Sequence, residues 1–263
     1  RVSTLANLIF TERTGVVATL VINNSVKRNA LTLAAWKALR EAVAELDDDE
    51  NLRCVVLRGA GADAFAAGAD IAEFPDLRSN SAQARDYGVI VDAALGALIN
   101  CRHPTIAMIH GACTGGGLEI ACCCDIRISG TSGRFGVPIK LVGHAFAYPE
   151  MVPVTEVAGR ALVLELLLEG RIMEAAEAER RGLVSRMVDD AELEAEVREA
   201  AKRIDEGAPL AARATKRFIN RLATGQPLTS EEVAESYALC DSEDYAEGVR
   251  AFTAKEKPKF RGR

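Results

Sequence analysis

Thr105-Ile106-Ala107-Met108-Ile109 runs through His110 into Gly111-Ala112-Cys113-Thr114-Gly115-Gly116-Gly117-Leu118-Glu119-Ile120-Ala121-Cys122. The opening five residues form the short apolar run of a strand covered on both faces. Gly117 to Cys124 then reads as a helix that leads to another apolar run, Ile126 to Ile128. Upstream the pattern is the same: Cys54 to Leu57 is a short apolar run, and a helix from about Ala82 to Ile99 separates it from Thr105. Strand, crossover helix and strand in succession specify a mostly parallel sheet, so the fold class is α/β.

Nearer the start, Leu8 to Phe10 and Val16 to Ile22 flank Thr14-Gly15 and predict a β-hairpin. From Leu33, apolar residues recur at Trp36, Leu39, Val43 and Leu46, a helical spacing for which Thr32 is the expected N-cap. Beyond Thr155, Val157 to Leu168 and Ala175 to Arg181 read as helices with Gly170 and Gly182 at their ends, and Leu183 to Val188 as a last strand. Helices are expected from about Asp190, Leu210, Ser230 and Ser242, broken at Gly207-Ala208-Pro209 and Gly225-Gln226-Pro227. The expected organisation is an α/β core over residues 1–190 and a helical segment over 191–263.

The 263 residues are 49% apolar and 27% charged with a net charge of −6, which fits a folded globular chain and speaks against a nucleic-acid partner, since phosphate binding needs clustered Lys and Arg. No apolar run approaches the roughly eighteen residues that span a bilayer, and no charged segment followed by an apolar one opens the sequence, so a cytoplasmic protein without a membrane partner is expected. Seven cysteines lack the paired spacing of a zinc site, and no metal is expected. Cys122, Cys123 and Cys124 sit among Ile120, Ala121 and Ile126 and read as small buried hydrophobes.

The chemistry concentrates in two glycine-containing stretches after strands: Phe65-Ala66-Ala67-Gly68-Ala69-Asp70-Ile71 and Gly111 to Gly117. Open α/β sheets bind ligands where such carboxyl ends meet. Three glycines entering a helix remove every side chain that would block approach to the backbone, and the helix start leaves N–H groups for an anion. A plain tight turn before a helix has the same look. No Gly-Lys-Ser/Thr follows, and the Rossmann spacing is missing, so neither nucleotide-loop reading applies. Glu119, between Leu118 and Ile120, puts a carboxylate in apolar surroundings, where burial without a role is costly.

Ala66-Ala67-Gly68-Ala69-Asp70-Ile71 and Gly115-Gly116-Gly117-Leu118-Glu119 with Cys124-Asp125-Ile126-Arg127 resemble the two signature segments of the crotonase superfamily, the enoyl-CoA hydratase/isomerase enzymes. The resemblance extends to Arg28-Asn29-Ala30-Leu31, Phe135-Gly136, Gly182-Leu183-Val184 and Ala251-Phe252. It implies a crotonase-like fold of stacked ββα units with C-terminal helices, a homotrimer or dimer of trimers, and an acyl-CoA thioester as substrate. Coenzyme A is then part of the substrate, and no separate cofactor is expected. Carried over, the oxyanion hole is the backbone N–H of Ala69 and of Gly116, and Glu119 is the acid/base. Arg28 takes the position of a basic residue near the phosphates. Ala30 and the backbone of Ala67, Gly68, Asp70 and Ile71 line the adenine pocket, while Phe252 and Lys255 reach a neighbouring subunit's nucleotide. Gly115, Pro138, Ile139, Gly143 and His144 complete the substrate-binding candidates.

The sequence departs from this pattern where hydratases carry a second glutamate after Phe-Gly-x-Pro: Phe135-Gly136-Val137-Pro138 is followed by Ile139. One carboxylate suffices to shuttle a proton between two carbons, as in a double-bond isomerase, whereas hydration also needs water activated. His144, Tyr148 and Glu150 in the following loop are possible substitutes, and the usual alternative acid position falls at Ala147. Structural roles are expected for His103 and His110. Decarboxylation or hydrolysis of an acyl-CoA would use the same oxyanion hole, and a silent or RNA-binding relative is the alternative of another class. The helix from Leu33 ends in Asp47-Asp48-Asp49-Glu50, which opposes RNA.

Overall fold

Val17, Ala18, Leu20, Val21 and Ile22 alternate little because their strand is covered on both faces, and it sits second in a six-stranded sheet. In the computed structural model, which describes residues 8–263, that sheet comprises β1 (Ile9–Thr14), β2 (Val17–Ile22), β3 (Cys54–Gly59), β5 (Thr105–Ile109), β7 (Ile126–Gly130) and β10 (Arg186–Val188), in the order β1-β2-β3-β5-β7-β10. Only the hairpin β1/β2 is antiparallel; each later pair is parallel, as the crossover helices require. Residues 1–7, part of the opening searched for a leader, lie outside the described residues.

A second, four-stranded sheet was not anticipated as strands. β4 (Ala64–Ala66), β6 (Ala112–Thr114), β8 (Arg134–Gly136) and β9 (Ile172–Glu174) pair in that order; the first two fall in or beside the glycine-containing stretches and the last two where the sequence specified no element. Each first-sheet strand β3, β5 and β7 is thus followed by a three-residue strand of the second sheet, the repeating ββ element of the stacked units. Three residues are too few to display a period of two, and their partners are distant in sequence.

The helices follow the sequence closely. α1 (Leu33–Asp47) begins at Thr32, whose Oγ1 accepts from Ala35 N at 3.1 Å, and buries Trp36, Leu39, Val43 and Leu46. α2 (Phe74–Leu77) is a single turn, and α3 (Ser81–Asn100) packs along α1. α4 (Gly116–Cys123) is buried throughout. α5 (Tyr148–Glu169) starts earlier than its apolar spacing indicates and bends at Gly159, φ 73°, before ending at Gly170 in the left-handed conformation. α6 (Ala175–Arg180) precedes β10, which is only half the expected Leu183 to Val188 strand; Leu183 and Val184 are buried side chains of the connecting turn. α7 (Leu193–Asp205), α8 (Pro209–Ala223), α9 (Ser230–Glu235) and α10 (Glu243–Ala254) complete the chain.

Two buried clusters sandwich the large sheet. The major one joins α1, α3, α4 and α5; the smaller sets Leu193, Val197, Ala200 and Ala201 of α7 against Cys54, Val56, Ile106 and Ile128. The helical segment after residue 190 therefore supplies one cover of the sheet. Six of the cysteines are buried and only Cys240 is exposed. Burial pushes the thiols of Cys122 and Cys124 up to about 12, so they act as apolar side chains. Among the described residues, no helix is long and apolar enough to cross a membrane.

Candidate active site

Both glycine-containing turns lie where the short second-sheet strands end. Beyond β4, Leu31 N donates to Gly68 O at 2.8 Å and Asp70 N donates to Leu31 O at 2.8 Å. This bridge clamps the turn on either side of Ala69 and leaves the Ala69 N–H between the two bonds. Beyond β6, Gly115 (φ 51°) starts α4, and its carbonyl accepts from Leu118 N and Glu119 N. Gly116, as first residue of the helix, keeps a free N–H. Neither the Ala69 nor the Gly116 amide has an acceptor among the described residues.

Two glycines bring these amides together. A Cβ on Gly68, already at φ 100°, would stand 3.0 Å from Thr114 O and 3.1 Å from Gly116 N, so only a bare Cα lets the first turn lie on the second. A Cβ on Gly117 would meet Ala66 O at 2.1 Å, which fixes the start of α4 against the end of β4. The glycine run thus serves close backbone approach, as its composition implied.

Glu119 lies one turn along α4 and is 3% exposed. No donor among the described residues bonds its carboxyl. Burial pushes its pKa well above the usual carboxylate range; the negative charge of Glu150 adds to this and the Arg78 guanidinium opposes it. Glu119 faces a cavity of about 130 Å³. The cavity brings together nine of the sequence candidates: the turn residues Ala67, Gly68, Ala69 and Ile71, the helix start Gly115 and Gly116, Glu119 itself, and Pro138 with Ile139. Ile139 packs on the main core, as an apolar residue in place of an acid does.

The other candidates stand apart from the cavity wall. Asp70 turns its carboxylate to Lys27 Nζ at 2.6 Å, and this bond holds its pKa below the usual range. Arg28 has an exposed side chain and a left-handed backbone whose carbonyl accepts from Ala67 N at 3.0 Å; Ala30, half-buried, follows it. Gly143 and His144 lie in an exposed loop outside the wall, and Tyr148, the exposed first residue of α5, is outside it too. Phe252 and Lys255 are exposed at the end of α10, where Phe252 borders a groove with Phe260 away from Glu119. His103 is fully buried against Leu46 O, and His110 faces Asp190, both as the expected structural residues.

Of the three loop substitutes, the structure brings Glu150 alone to the cavity. It is buried, and its Oε2 accepts from Ala147 N at 3.0 Å, closing the first turn of α5. Three further wall residues had no local signal of function: Trp36, part of an ordinary helical stripe, and Arg78 and Tyr87, which lie far from either signature segment in sequence.

Two backbone amides without an acceptor and a buried carboxyl thus border one cavity. Residues 12–263 match the model of the family described as enoyl-CoA hydratase/isomerase. A probable enoyl-CoA hydratase from Mycobacterium bovis is 36% identical over 255 residues, 96% of this chain and 97% of that protein. The short-chain-enoyl-CoA hydratase of Clostridium acetobutylicum is 32% identical over 256 residues, 95% of this chain and 96% of that one. Among solved structures, an enoyl-CoA hydratase/carnithine racemase from Magnetospirillum magneticum superposes with a TM-score of 0.96 at 49% identity, covering 97% of this chain and 96% of that chain. The chain belongs to the enoyl-CoA hydratase/isomerase family of the crotonase superfamily and has the crotonase fold. It is an acyl-CoA-processing enzyme of that family.

Proposed function

We propose that this enzyme converts an enoyl-CoA through a thioester enolate, with Glu119 alone carrying the proton and double-bond isomerisation as its main reaction. The observation that carries the reading is a buried carboxyl, unbonded, in one cavity with two unpaired amides. The thioester oxygen accepts from the Ala69 and Gly116 N–H groups, which bind the enolate more strongly than the neutral carbonyl because charge has moved onto that oxygen. One such donor is typically worth about 10² to 10³ in rate. Glu119 removes a proton from C2 of a 3-enoyl thioester, the electron pair passes to the oxygen, and the same proton returns at C4 as the double bond shifts to C2–C3. Burial raises the pKa of this carboxyl above its usual range, the direction that helps a carboxylate act as a base and return the proton as an acid.

Arg28 and the Ala67–Ile71 backbone are assigned here to coenzyme A, and Phe252 and Lys255 to a neighbouring subunit's nucleotide within a trimer or dimer of trimers. The reaction as written needs no cofactor beyond the coenzyme A of the substrate.

A second reading, hydration with Glu150 as partner acid, is favoured by one observation: Glu150 borders the same cavity and its charge acts on Glu119. Comparing crotonyl-CoA hydration with 3-enoyl-CoA isomerisation separates the two. Isomerisation is expected to be faster by about 10² or more, the usual worth of a general acid–base partner, with Ile139→Glu raising hydration. Hydration as fast as isomerisation, and lost selectively in Glu150→Gln, would replace the single-acid reading.

A further inference from the structure

Arg78 is a cation without an anion. Among the described residues it forms no ion pair and no side-chain hydrogen bond; it is held by aromatic faces, its guanidinium carbon 4.5 Å from the Phe74 ring centroid and 5.0 Å from that of Tyr87. The two rings meet edge to face with centroids 6.2 Å apart, which fixes the cation's seat from both sides. This seat opens on the Glu119 cavity.

Tyr87 and Trp36 line the same space, but the phenol Oη and the indole Nε1 are closed off from it. Among the described residues Arg78 is the one cation on the wall, and Glu119 and Glu150 are its carboxyl residues. The rest of the wall is largely apolar, with Ile71, Val91, Val137 and Phe146 among its members.

A guanidinium beside an apolar channel matches an oxygen anion at the end of a hydrocarbon chain. The cavity of about 130 Å³ is near the size that holds a benzene-sized group, about 150 Å³, so the chain is short. We propose that the acyl group of the substrate is a short chain ending in a carboxylate, bound at that end by Arg78. The alternative use of Arg78, as counter-ion to Glu119, predicts no preference for a charged acyl end.

The substrate class rests on the enolate reading of the site, so its test is made on binding and not on turnover. Calorimetric Kd values for glutaryl-CoA and pentanoyl-CoA, saturated thioesters of equal chain length, compare a carboxylate end with a methyl end. Glutaryl-CoA is expected to bind at least about tenfold tighter, because a site built around polar groups rejects the analogue that leaves them unpaired. Arg78→Met is expected to bring the two to within about twofold, and Arg78→Lys to keep part of the preference by restoring charge without the planar fork. Tyr87→Phe, which keeps the ring against Arg78, should leave the preference within about twofold. Pentanoyl-CoA binding as tightly as glutaryl-CoA, or Arg78→Met weakening both equally, overturns the proposal. Selective glutaryl-CoA binding by an enzyme that isomerises no enoyl thioester would instead overturn the enolate reading and leave the acyl assignment standing.

Discussion

The two ends of β5 and its neighbours treat buried polar groups in opposite ways. Where β5 and β7 begin, Asp125 accepts from Thr105 N at 2.7 Å, from Thr105 Oγ1 at 2.9 Å and from Lys216 Nζ at 2.9 Å, while Lys216 also donates to His103 O at 3.1 Å. Past β6, where the same chain turns into α4, the Glu119 carboxyl and the amides of Ala69 and Gly116 have no hydrogen-bond partner among the described residues, and neither do Trp36 Nε1 and Tyr87 Oη. The exception at the first end is His103 Nδ1, which is also unpaired; burial pushes that imidazole down to about 4, so it is neutral at physiological pH. A satisfied network holds the sheet at one end, and at the other the described residues leave the polar groups around Glu119 without partners.

The largest break in this contrast is expected from Glu119→Gln. It removes the proton acceptor while keeping volume, so turnover of an enoyl-CoA should fall by about 10² to 10⁴, with thioester binding retained by calorimetry. Retained turnover would move the acid to Glu150. The variant sharpens the comparison in a second way, through stability. A carboxyl whose folded pKa is raised favours folding most below its unfolded value, near 4.5, and loses that contribution as pH rises through the folded value. Glutamine has no such dependence. The wild type should therefore lose stability relative to Glu119→Gln as pH rises above about 4.5, by up to about 1.4 kcal/mol per pH unit in urea unfolding without ligand. A difference independent of pH would mean that the carboxyl has an unraised pKa.

How much of this was legible in the sequence follows the same division. Elements with a long period were readable: the hairpin around Gly15, α1 with its Thr32 cap, and the buried run after Thr105. The two glycine turns of the candidate site were readable because glycine spacing and a carboxylate between Leu118 and Ile120 are contiguous signals. The second sheet was not, since Ala64–Ala66 or Arg134–Gly136 carries three residues and finds its partners across the chain. Nor was the grouping of Trp36, Arg78 and Tyr87, which come from α1, the turn after α2 and α3 and meet only when those helices pack. Glu150 stood in a loop with two other candidate acids, and only the path of α5 separates it from exposed His144 and Tyr148.

At the satisfied end the effects should appear in stability alone. Lys216→Met removes the ammonium from a site that is 7% exposed and leaves the partner carboxylate with its Thr105 bonds. The loss should be about 1.5 to 3 kcal/mol, the range for hydrogen bonds to charged groups, read as a lower urea midpoint. Turnover of the folded fraction should stay within about twofold, since Lys216 is outside the Glu119 cavity wall. A loss of turnover as large as that of Glu119→Gln would mean that the two ends are not separable.

The smallest expected effect is also the most direct test of whether the satisfied end acts as one network. Thr105→Val keeps the shape of a fully buried side chain but removes the hydroxyl that donates to Asp125 Oδ2 and accepts from Asp125 N, both at 2.9 Å. Alone it should cost about 2 kcal/mol, because one neutral and one charge-assisted bond are lost while the Thr105 N–H bond to the carboxylate persists. If Asp125 is the shared hub, the hydroxyl and the ammonium hold the same oxygen, and removing Lys216 frees the carboxylate to relax toward solvent. The cost of Thr105→Val should then differ by about 0.5 kcal/mol or more between the wild-type and Lys216→Met backgrounds, a double-mutant cycle measurable by urea unfolding. Costs that add within about 0.3 kcal/mol would mean that Thr105 and Lys216 hold the edge independently. The contrast between the two ends would then rest on the number of bonds and not on their cooperation.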